Sequence, residues 1–355
     1  VYVTRLAAGN AVELVKFSGW KEPKEMAKFR VPPDGDPQNP WVMALDAKAP
    51  STGLGAGKPP LIWMGSDGGS LRRIEDLGDK FASTNVVSGQ FGTLSFEDLS
   101  VDRFRPEREI YARIGAGCWM RFNEDSGKLE TISTGTAINE GVGIVAGPDG
   151  NLYGPAYAHN LFKFKRDGKP LAWREGYTGY TEERAGKDGK VQKWSGPAHA
   201  IFMPVSMVFL THTIGIRQDG RLFMFEPKGP GDRPPKMLRE YTLDGKRVSD
   251  TPIIWKVSDA AIGPKFDAAG NIYIAEQIKP VDQPYPAEFA SVVGKVEVGK
   301  TYLQPEPVKD AICTMYGSIV KFTPKGGMIH YGGQNPFDGE PKLDPSLKTQ
   351  DMASY

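Results

Sequence analysis

A short unit that recurs three times is the feature of this 355-residue sequence that most limits its fold. Each copy has an apolar segment, a turn containing Asp and Gly, and a second segment that begins with an aliphatic–aromatic pair. The copies occupy residues 144–153, 214–223 and 262–273. Gly allows the positive φ that tight hairpin turns need, and Asp hydrogen-bonds the local backbone. The unit therefore predicts a β-hairpin, and its repetition predicts a repeat architecture.

A second hairpin signal follows each copy, at residues 161–169, 238–246 and 318–327. Two successive hairpins make one four-stranded antiparallel sheet. Such sheets, stacked radially as blades, bury both faces and leave only short edges exposed. The pattern therefore favours a propeller over a loose meander of hairpins.

Weaker copies of the pattern lie within residues 1–17, 61–74 and 109–132. Together with the clear copies they predict an all-β fold, a β-propeller of about six four-stranded antiparallel blades, with seven blades as the alternative. We expect residues 1–333 to form this single domain. Residues 334–355 lack strand periodicity and are predicted to be an extended C-terminal arm or the start of a further segment.

The run Pro-Asp-Gly-Asn-Leu-Tyr at 148–153, followed by Phe-Lys-Arg-Asp-Gly-Lys at 164–169, resembles NHL repeats and the related six-bladed propellers of the SMP-30/gluconolactonase kind. The resemblance covers about 144–329 and implies a propeller. Enzymes of the SMP-30 kind hold a divalent metal in the central channel, so the resemblance leaves open a divalent cation such as calcium there. Asn151 and Asn271 are the residues nearest to that ligand type, but turn residues more often face away from the channel.

Composition excludes two classes of partner. The chain has 44 basic and 43 acidic residues, a formal net charge of +1, so it has no overall field to hold nucleic acid. No apolar run is long enough to predict a membrane span.

Cys118 and Cys313 are the two cysteines, and they form either one disulfide bridge or two free thiols.

The turn glycines Gly150 and Gly220 are farther apart than one blade requires, which indicates insertions within the repeats. Three segments are predicted insertions: a polar one with two tyrosines at 176–196, and Pro-rich ones at 229–235 and 279–310. Insertions on a rigid scaffold commonly carry binding residues.

Six residues are candidate binding residues: Tyr157, His159, Tyr177, Tyr180, His199 and His212. His159 follows Tyr157 at the end of a predicted strand, from which it could line a central channel. His199 and His212 flank an apolar run whose methionines could add sulfur ligands for copper, although Met and Phe in such runs usually fill core gaps. We therefore predict no metal site among these residues, and no catalytic residue is assigned because no known catalytic motif occurs.

These observations predict a periplasmic or secreted propeller that acts as a binding and assembly module. Its insertion loops would be presented to a protein partner or a larger complex. Two alternatives remain: a metal-dependent propeller hydrolase or lyase of the lactonase kind, and a non-haem subunit of a periplasmic redox complex. A propeller fold alone does not decide among them, because this fold carries many functions.

Overall fold

The structure is a computed structural model, and it describes most of the predicted strands. The described residues are 1–7, 11–19, 24–32, 42–46, 59–66, 69–87, 96–105, 109–114, 118–123, 126–134, 143–156, 160–185, 190–202, 214–226, 236–253, 262–276, 318–325 and 328–329.

Antiparallel strands in chain order form the first three sheets. The first sheet contains β1 (Tyr2–Ala7), β2 (Ala11–Ser18) and β3 (Lys24–Val31). The second contains β4 (Val42–Asp46), β5 (Leu61–Gly65), β6 (Leu71–Asp76) and β7 (Phe81–Val87). The third contains β8 (Phe96–Val101), β9 (Ile110–Ile114), β10 (Cys118–Asn123) and β11 (Lys128–Ile132).

The last three sheets follow the same plan, with one hairpin added to the fourth. The fourth sheet contains β12 (Val145–Ala146), β13 (Leu152–Ala156), β14 (Asn160–Phe164) and β17 (Ala200–Phe202), and the added hairpin is β15 (Gly179–Ala185) and β16 (Val191–Pro197). The fifth contains β18 (Ile214–Ile216), β19 (Leu222–Glu226), β20 (Lys236–Tyr241) and β21 (Arg247–Ile253). The sixth contains β22 (Ile262–Phe266), β23 (Ile272–Glu276), β24 (Ser318–Phe322) and β25 (Met328–Ile329).

The six sheets are arranged as a β-propeller. The first strands of the second to sixth sheets contact one another in chain order, β4 with β8, β8 with β12, β12 with β18, and β18 with β22. These strands therefore lie nearest the axis. In a ring of six, the third and sixth sheets lie on opposite sides of that axis.

Strand direction divides the connections between two faces of the ring. Because neighbouring strands are antiparallel, connections from first to second and from third to fourth strands leave one face, which we call the turn face. Connections from second to third strands and from one sheet to the next leave the other, which we call the loop face. The strand ends joined by 229–235 and 279–310 lie at the loop face, while these segments themselves lie outside the described residues.

The core consists of apolar side chains between neighbouring sheets. Leu14 of the first sheet packs with Ile62 and Met64 of the second. Between the third and fourth sheets, the rings of Trp119 and Phe164 meet edge to face at 5.5 Å. Each sheet thus covers the apolar face of the next, which is why no blade needs a core of its own.

Trp173 extends this packing to the fourth and fifth sheets. It is buried in a cluster with Tyr153 and Ile201 of the fourth sheet and Met224 of the fifth. Its indole Nε1 donates a hydrogen bond to the His199 carbonyl oxygen at 3.0 Å. The residue lies between β14 and the insertion at 176–196, so the segment that leads into the insertion helps to join two blades.

The predicted all-β propeller is confirmed, and the described residues form six blades rather than the alternative seven, apart from the two-stranded hairpin added to the fourth. The turn glycines have the positive φ expected of them, 78° at Gly150 and 84° at Gly220. No helix in the described part of the chain is long and apolar enough to cross a membrane.

Two details differ from the expected blades. The turn at 165–168 forms, with the Gly168 amide bonded to the Lys165 carbonyl at 2.9 Å. The chain returns there antiparallel for one bridge, Phe164 with Pro170, but the strand that pairs with β14 is β17, which follows the added hairpin. The first sheet has three described strands rather than four. The predicted arm at 334–355, Cys313 and the side chain of Cys118 lie outside what is described, so the domain limits and the disulfide stay predictions.

Candidate functional site

The added hairpin, β15–β16, is the largest departure from the repeating blade in the described chain. Its strands pair from Gly179 with Pro197 to Ala185 with Val191. One of its faces packs on the end of β17, where Tyr180 and Trp194 contact the ring of Phe202 at centroid distances of 5.5 and 5.8 Å. The base of the hairpin therefore lies beside the loop-face end of the fourth sheet.

Two predicted binding residues anchor this hairpin. Tyr177 donates a hydrogen bond to the Ala200 carbonyl oxygen at 3.0 Å, and the Arg174 guanidinium lies over its ring at 4.2 Å. Tyr180 donates to Asn160 Oδ1 at 2.7 Å. Burial raises the pKa of Tyr180 to about 12, with smaller contributions from Tyr177 and Glu182. Both hydroxyls remain protonated donors at neutral pH and hold the hairpin on its blade.

His199, a third predicted binding residue, lies where the hairpin returns to the sheet. Its ring stacks on Phe162 at 5.1 Å and is tilted against Phe164 at 5.5 Å. Nε2 has no hydrogen-bond partner among the described residues. Burial lowers the pKa of His199. The side chain is therefore a neutral packing group here.

The opposite face of the hairpin is exposed to solvent. Strand alternation places Val191, Lys193 and Ser195 on this face, and Val191 is 66% exposed. Lys193 forms an ion pair with Glu183 at 2.8 Å across the hairpin. The outward face thus combines an apolar side chain with charged neighbours.

The other three predicted residues, Tyr157, His159 and His212, lie outside the described residues. The strand ends that flank them are at the loop face, because 157–159 joins the second and third strands of one sheet and 203–213 joins two sheets. The structure therefore brings together Tyr177, Tyr180 and His199.

Turn-face carboxylates form a second polar region. Asp149 accepts hydrogen bonds from the Asn151 side-chain amide at 2.7 Å and the Tyr153 hydroxyl at 2.6 Å. Lys163, the register partner of Tyr153 on β14, places its ammonium 3.6 Å from the same carboxylate. Asp149 also accepts a hydrogen bond from the Asn151 backbone amide at 3.2 Å, the local backbone contact expected of an Asp in this turn.

The sixth sheet repeats the arrangement. Asp267 accepts from the Asn271 amide at 2.8 Å and the Tyr273 hydroxyl at 3.0 Å, and Lys321 lies 3.6 Å away. Burial acts to raise the pKa of Asp267, but these hydrogen bonds and Lys321 outweigh it, so the pKa of Asp267 is lowered. The carboxylate is stabilised as an anion by its own blade.

The fifth sheet also pairs its turn carboxylate with a cation, but it uses different residues. Phe223 stands where the other two sheets have Tyr, and its register partner is Glu240 instead of Lys. Arg217 supplies the cation, bonding Asp219 at 2.6 Å and lying over the Phe223 ring at 4.8 Å. An open concavity of about 450 Å³ lies between this turn and that of Asp267. The carboxylates of Asp219 and Asp267, which line this concavity, already have hydrogen-bond partners, so neither is available as a catalytic acid or base.

These contacts test the metal site that the resemblance implies. The side-chain amides of Asn151 and Asn271 are committed to turn-face aspartates, so these two residues do not fit a channel metal. Among the described residues, no group of three or more His, Cys, Asp or Glu side chains is placed to hold an ion. A calcium site built from other residues stays an untested expectation.

A third polar region lies at the axis, and the sequence patterns did not indicate it. Asp98 on β8 is partly accessible as a residue, yet its carboxyl group is enclosed by protein, and burial raises the pKa of Asp98. The opposing influences are, in order, the charge of Lys265, the Leu99 and Ile144 amides, and Arg113. The strand reads Phe-Glu-Asp-Leu-Ser-Val, so half of its residues are polar and no apolar pattern marks it as an inner strand.

Comparison with known proteins adds little to this picture. No protein-family model matches the chain, and no curated protein does. Among solved structures, virginiamycin B lyase from Staphylococcus aureus is 10% identical, with 83% of this chain and 71% of that chain covered and a TM-score of 0.42. A protein of unknown function from Bacteroides caccae is 10% identical, with 95% of each chain covered and a TM-score of 0.48. Neither similarity is close enough to carry an argument.

Proposed function

We propose that this chain is a periplasmic or secreted propeller with NHL-like repeats that acts as a binding and assembly module, and that hairpin β15–β16 contacts its protein partner. One observation carries the proposal: β14 pairs directly with β17, although the hairpin lies between them in the chain. The fourth blade is therefore complete without the hairpin. An addition to a finished blade is a typical location for a binding element.

The hairpin is also held in place before any partner arrives. Tyr177 and Tyr180 bond it to β17 and β14, and Trp194 packs against Phe202. A binding element that is already ordered loses less conformational entropy when it associates. This favours a binding role over a passive connection between strands.

The chemistry of the outward face fits a protein. Val191 supplies an exposed apolar contact, and the ion pair of Lys193 with Glu183 supplies a polar border. An apolar centre with a polar rim is the usual composition of protein interfaces. The near-zero net charge argues against a polyanionic partner.

The test compares two exposed valines on outer strands. Val191→Lys places a charge at the proposed contact, while Val248→Lys makes the same change on β21 of the fifth sheet, where Val248 is 50% exposed. Each full-length variant and the wild type would be cross-linked to extracytoplasmic extract of the source cells, and the captured protein would be identified and then titrated directly. We expect one partner to lose at least about tenfold affinity for Val191→Lys and to bind Val248→Lys normally.

Equal binding by both variants would contradict the role of the hairpin. Recovery of the chain from the cytoplasmic fraction would contradict the proposed location. The two alternative functions give different results in the same preparation. A tightly held metal with metal-dependent turnover would support the hydrolase or lyase, and a co-purifying haem protein would support the redox subunit.

A further inference from the structure

The first sheet differs from the other five in the strand nearest the axis. β3 contacts β7, the outer strand of the second sheet, so β3 is the outer strand of the first. Counted inward from there, β3, β2 and β1 correspond to the fourth, third and second strands of the other blades. The run of inner-strand contacts extends from β4 to β22 and involves no strand of the first sheet. Within the described chain, the first sheet therefore ends at β1 on its axial side.

The axial edge of β1 carries backbone groups that no described strand pairs with. The amino group and the carbonyl oxygen of Val1 both bond Phe17, at 3.0 and 2.8 Å, so these two residues exchange both hydrogen bonds. Residues that do so alternate along an antiparallel pair. Arg5 is therefore directed to β2, whereas Thr4 directs its N–H and C=O toward the axis. Such an edge is a template for a further strand.

An exposed apolar side chain borders the same edge. Met43 of β4 packs in the cluster between the first and second sheets, and Ala44 packs in the cluster between the second and third. Strand alternation therefore directs Leu45 toward the first sheet. Leu45 is 42% exposed, although it lies on an inner strand. A strand added to β1 on its axial side would cover it.

The end of the sixth sheet is placed to supply this strand. β25 is the fourth strand of its sheet, so it ends at the loop face, where the first strand of each sheet begins. In a ring of six, the first sheet is the next neighbour of the sixth. Chain that follows β25 can therefore enter beside β1 in the direction of the other first strands, antiparallel to β1.

The length of the chain after β25 fits this path. The connections from one sheet to the next have 8 to 12 residues: 32–41, 88–95, 133–144, 203–213 and 254–261. Residues 330–345, which contain three prolines, provide 16 residues for the same step. Residues 346–355 contain neither Gly nor Pro. These ten residues exceed the two to six of the described first strands.

We propose that residues 346–355 pair with β1 as the innermost strand of the first blade and thereby close the ring between the sixth and first sheets. The axial backbone groups of β1 gain partners, and Leu45 is covered. Closure also removes a strand edge that would otherwise pair with other chains. The surface lies at the axis, so the proposal is independent of hairpin β15–β16 and its partner.

Photo-cross-linking of the full chain tests the proximity. Leu45→p-benzoylphenylalanine places the reactive group at the proposed contact, and mass spectrometry locates the residues that it captures. We expect cross-links from position 45 to residues 346–355 within monomeric protein. The same replacement at Leu77 is the matched control, because Leu77 is 45% exposed but lies in the turn between β6 and β7. It should capture nothing in 346–355.

Amide hydrogen exchange, followed by NMR, tests the pairing itself. In the full chain the Thr4 amide should be protected as well as that of Arg5, which bonds β2. Lys348→Pro combined with Thr349→Pro puts proline at two adjacent positions, one of which must face β1. We expect this double variant to exchange the Thr4 amide at least about tenfold faster and to leave Arg5 unchanged.

Four results would overturn the proposal. They are no cross-link from position 45 to 346–355, such cross-links only in a dimer, unprotected Thr4 in the full chain, and Thr4 protection that survives the double variant. The last result would mean that another segment or a partner pairs with β1. If the double variant does not fold, the cross-links in the full chain decide.

Discussion

Asp267 at the turn face and Asp98 at the axis differ in their hydrogen-bond partners and in the direction of their pKa shifts. Asp267 receives hydrogen bonds from Asn271 and Tyr273 and lies 3.6 Å from Lys321, all in its own blade. Asp98 is bonded by backbone amides and faces a lysine on the opposite sheet. The pKa of Asp267 is lowered, whereas burial raises that of Asp98. The Asp267 carboxylate is stabilised as an anion by its own blade, whereas burial favours the protonated form of Asp98.

The largest expected loss of stability follows from removal of a turn-face carboxylate. Asp149→Ala removes the charged acceptor of the buried Tyr153 hydroxyl and the anion beside the Lys163 ammonium, and leaves both groups only the Leu243 carbonyl oxygen and, for Lys163, that of Trp173. Hydrogen bonds to charged groups contribute about 1.5–3 kcal/mol each. We expect urea unfolding to show a loss of about 2 kcal/mol for this variant. Asp167→Ala, a control at an exposed turn, should change stability far less, and an equal loss would contradict the comparison.

Replacing each carboxylate by its neutral isostere should give opposite pH dependences. The raised pKa of Asp98 means that the wild type loses stability as pH rises from the unfolded value near 3.8 to the folded pKa, so the stability of Asp98→Asn relative to wild type should rise with pH over that window. The lowered pKa of Asp267 means that its contribution is present above the unfolded value near 3.8 and is lost in acid. Relative stability of Asp267→Asn should therefore fall as pH rises from the folded pKa to the unfolded value near 3.8, and stay constant above it.

Denaturant titrations at a series of pH values measure both trends. Only the sign of the change in relative stability with pH is needed. A constant difference in stability caused by packing of the Asn amide therefore does not affect the result. The same sign for both variants would show that the two regions do not differ in the way described.

The smallest effect concerns His199 under the hairpin. Its pKa is lowered by burial, so the folded state favours the neutral ring, and stability is lost as pH falls below the unfolded value near 6.5. His199→Phe keeps a ring between Phe162 and Phe164 and removes the titration. We expect the variant to gain stability relative to wild type as pH falls from 7 to 5. If thermal unfolding shows that the stabilities of His199→Phe and wild type change in parallel with pH, the imidazole is not buried in its neutral form.

The turn face could be predicted from sequence because its contacts are local. Asp149 bonds residues two and four positions later, so the hairpin motif already contains the interaction. The alternation of apolar residues likewise indicates the blade strands that follow. Most of the fold is therefore readable from short segments.

The axial region could not be predicted because its partners are remote in sequence. The charge of Lys265 acts on Asp98 only when the third and sixth sheets belong to one ring, and no local pattern encodes that closure. The hairpin shows the same limit. Tyr177 and Tyr180 were identified from the insertion, but their bonds to Ala200 and Asn160 depend on where β17 returns.

The most direct test of the account is a carbon-13 NMR titration of the Asp98 carboxyl in selectively labelled wild type and in Lys265→Met. The burial of the carboxyl predicts a wild-type midpoint above the ordinary aspartate value. The charge of Lys265 predicts a still higher midpoint in the variant, because the cation that favours the carboxylate has been removed. An ordinary midpoint, or one that is unchanged by Lys265→Met, would contradict both the enclosed carboxyl and the lysine across the axis.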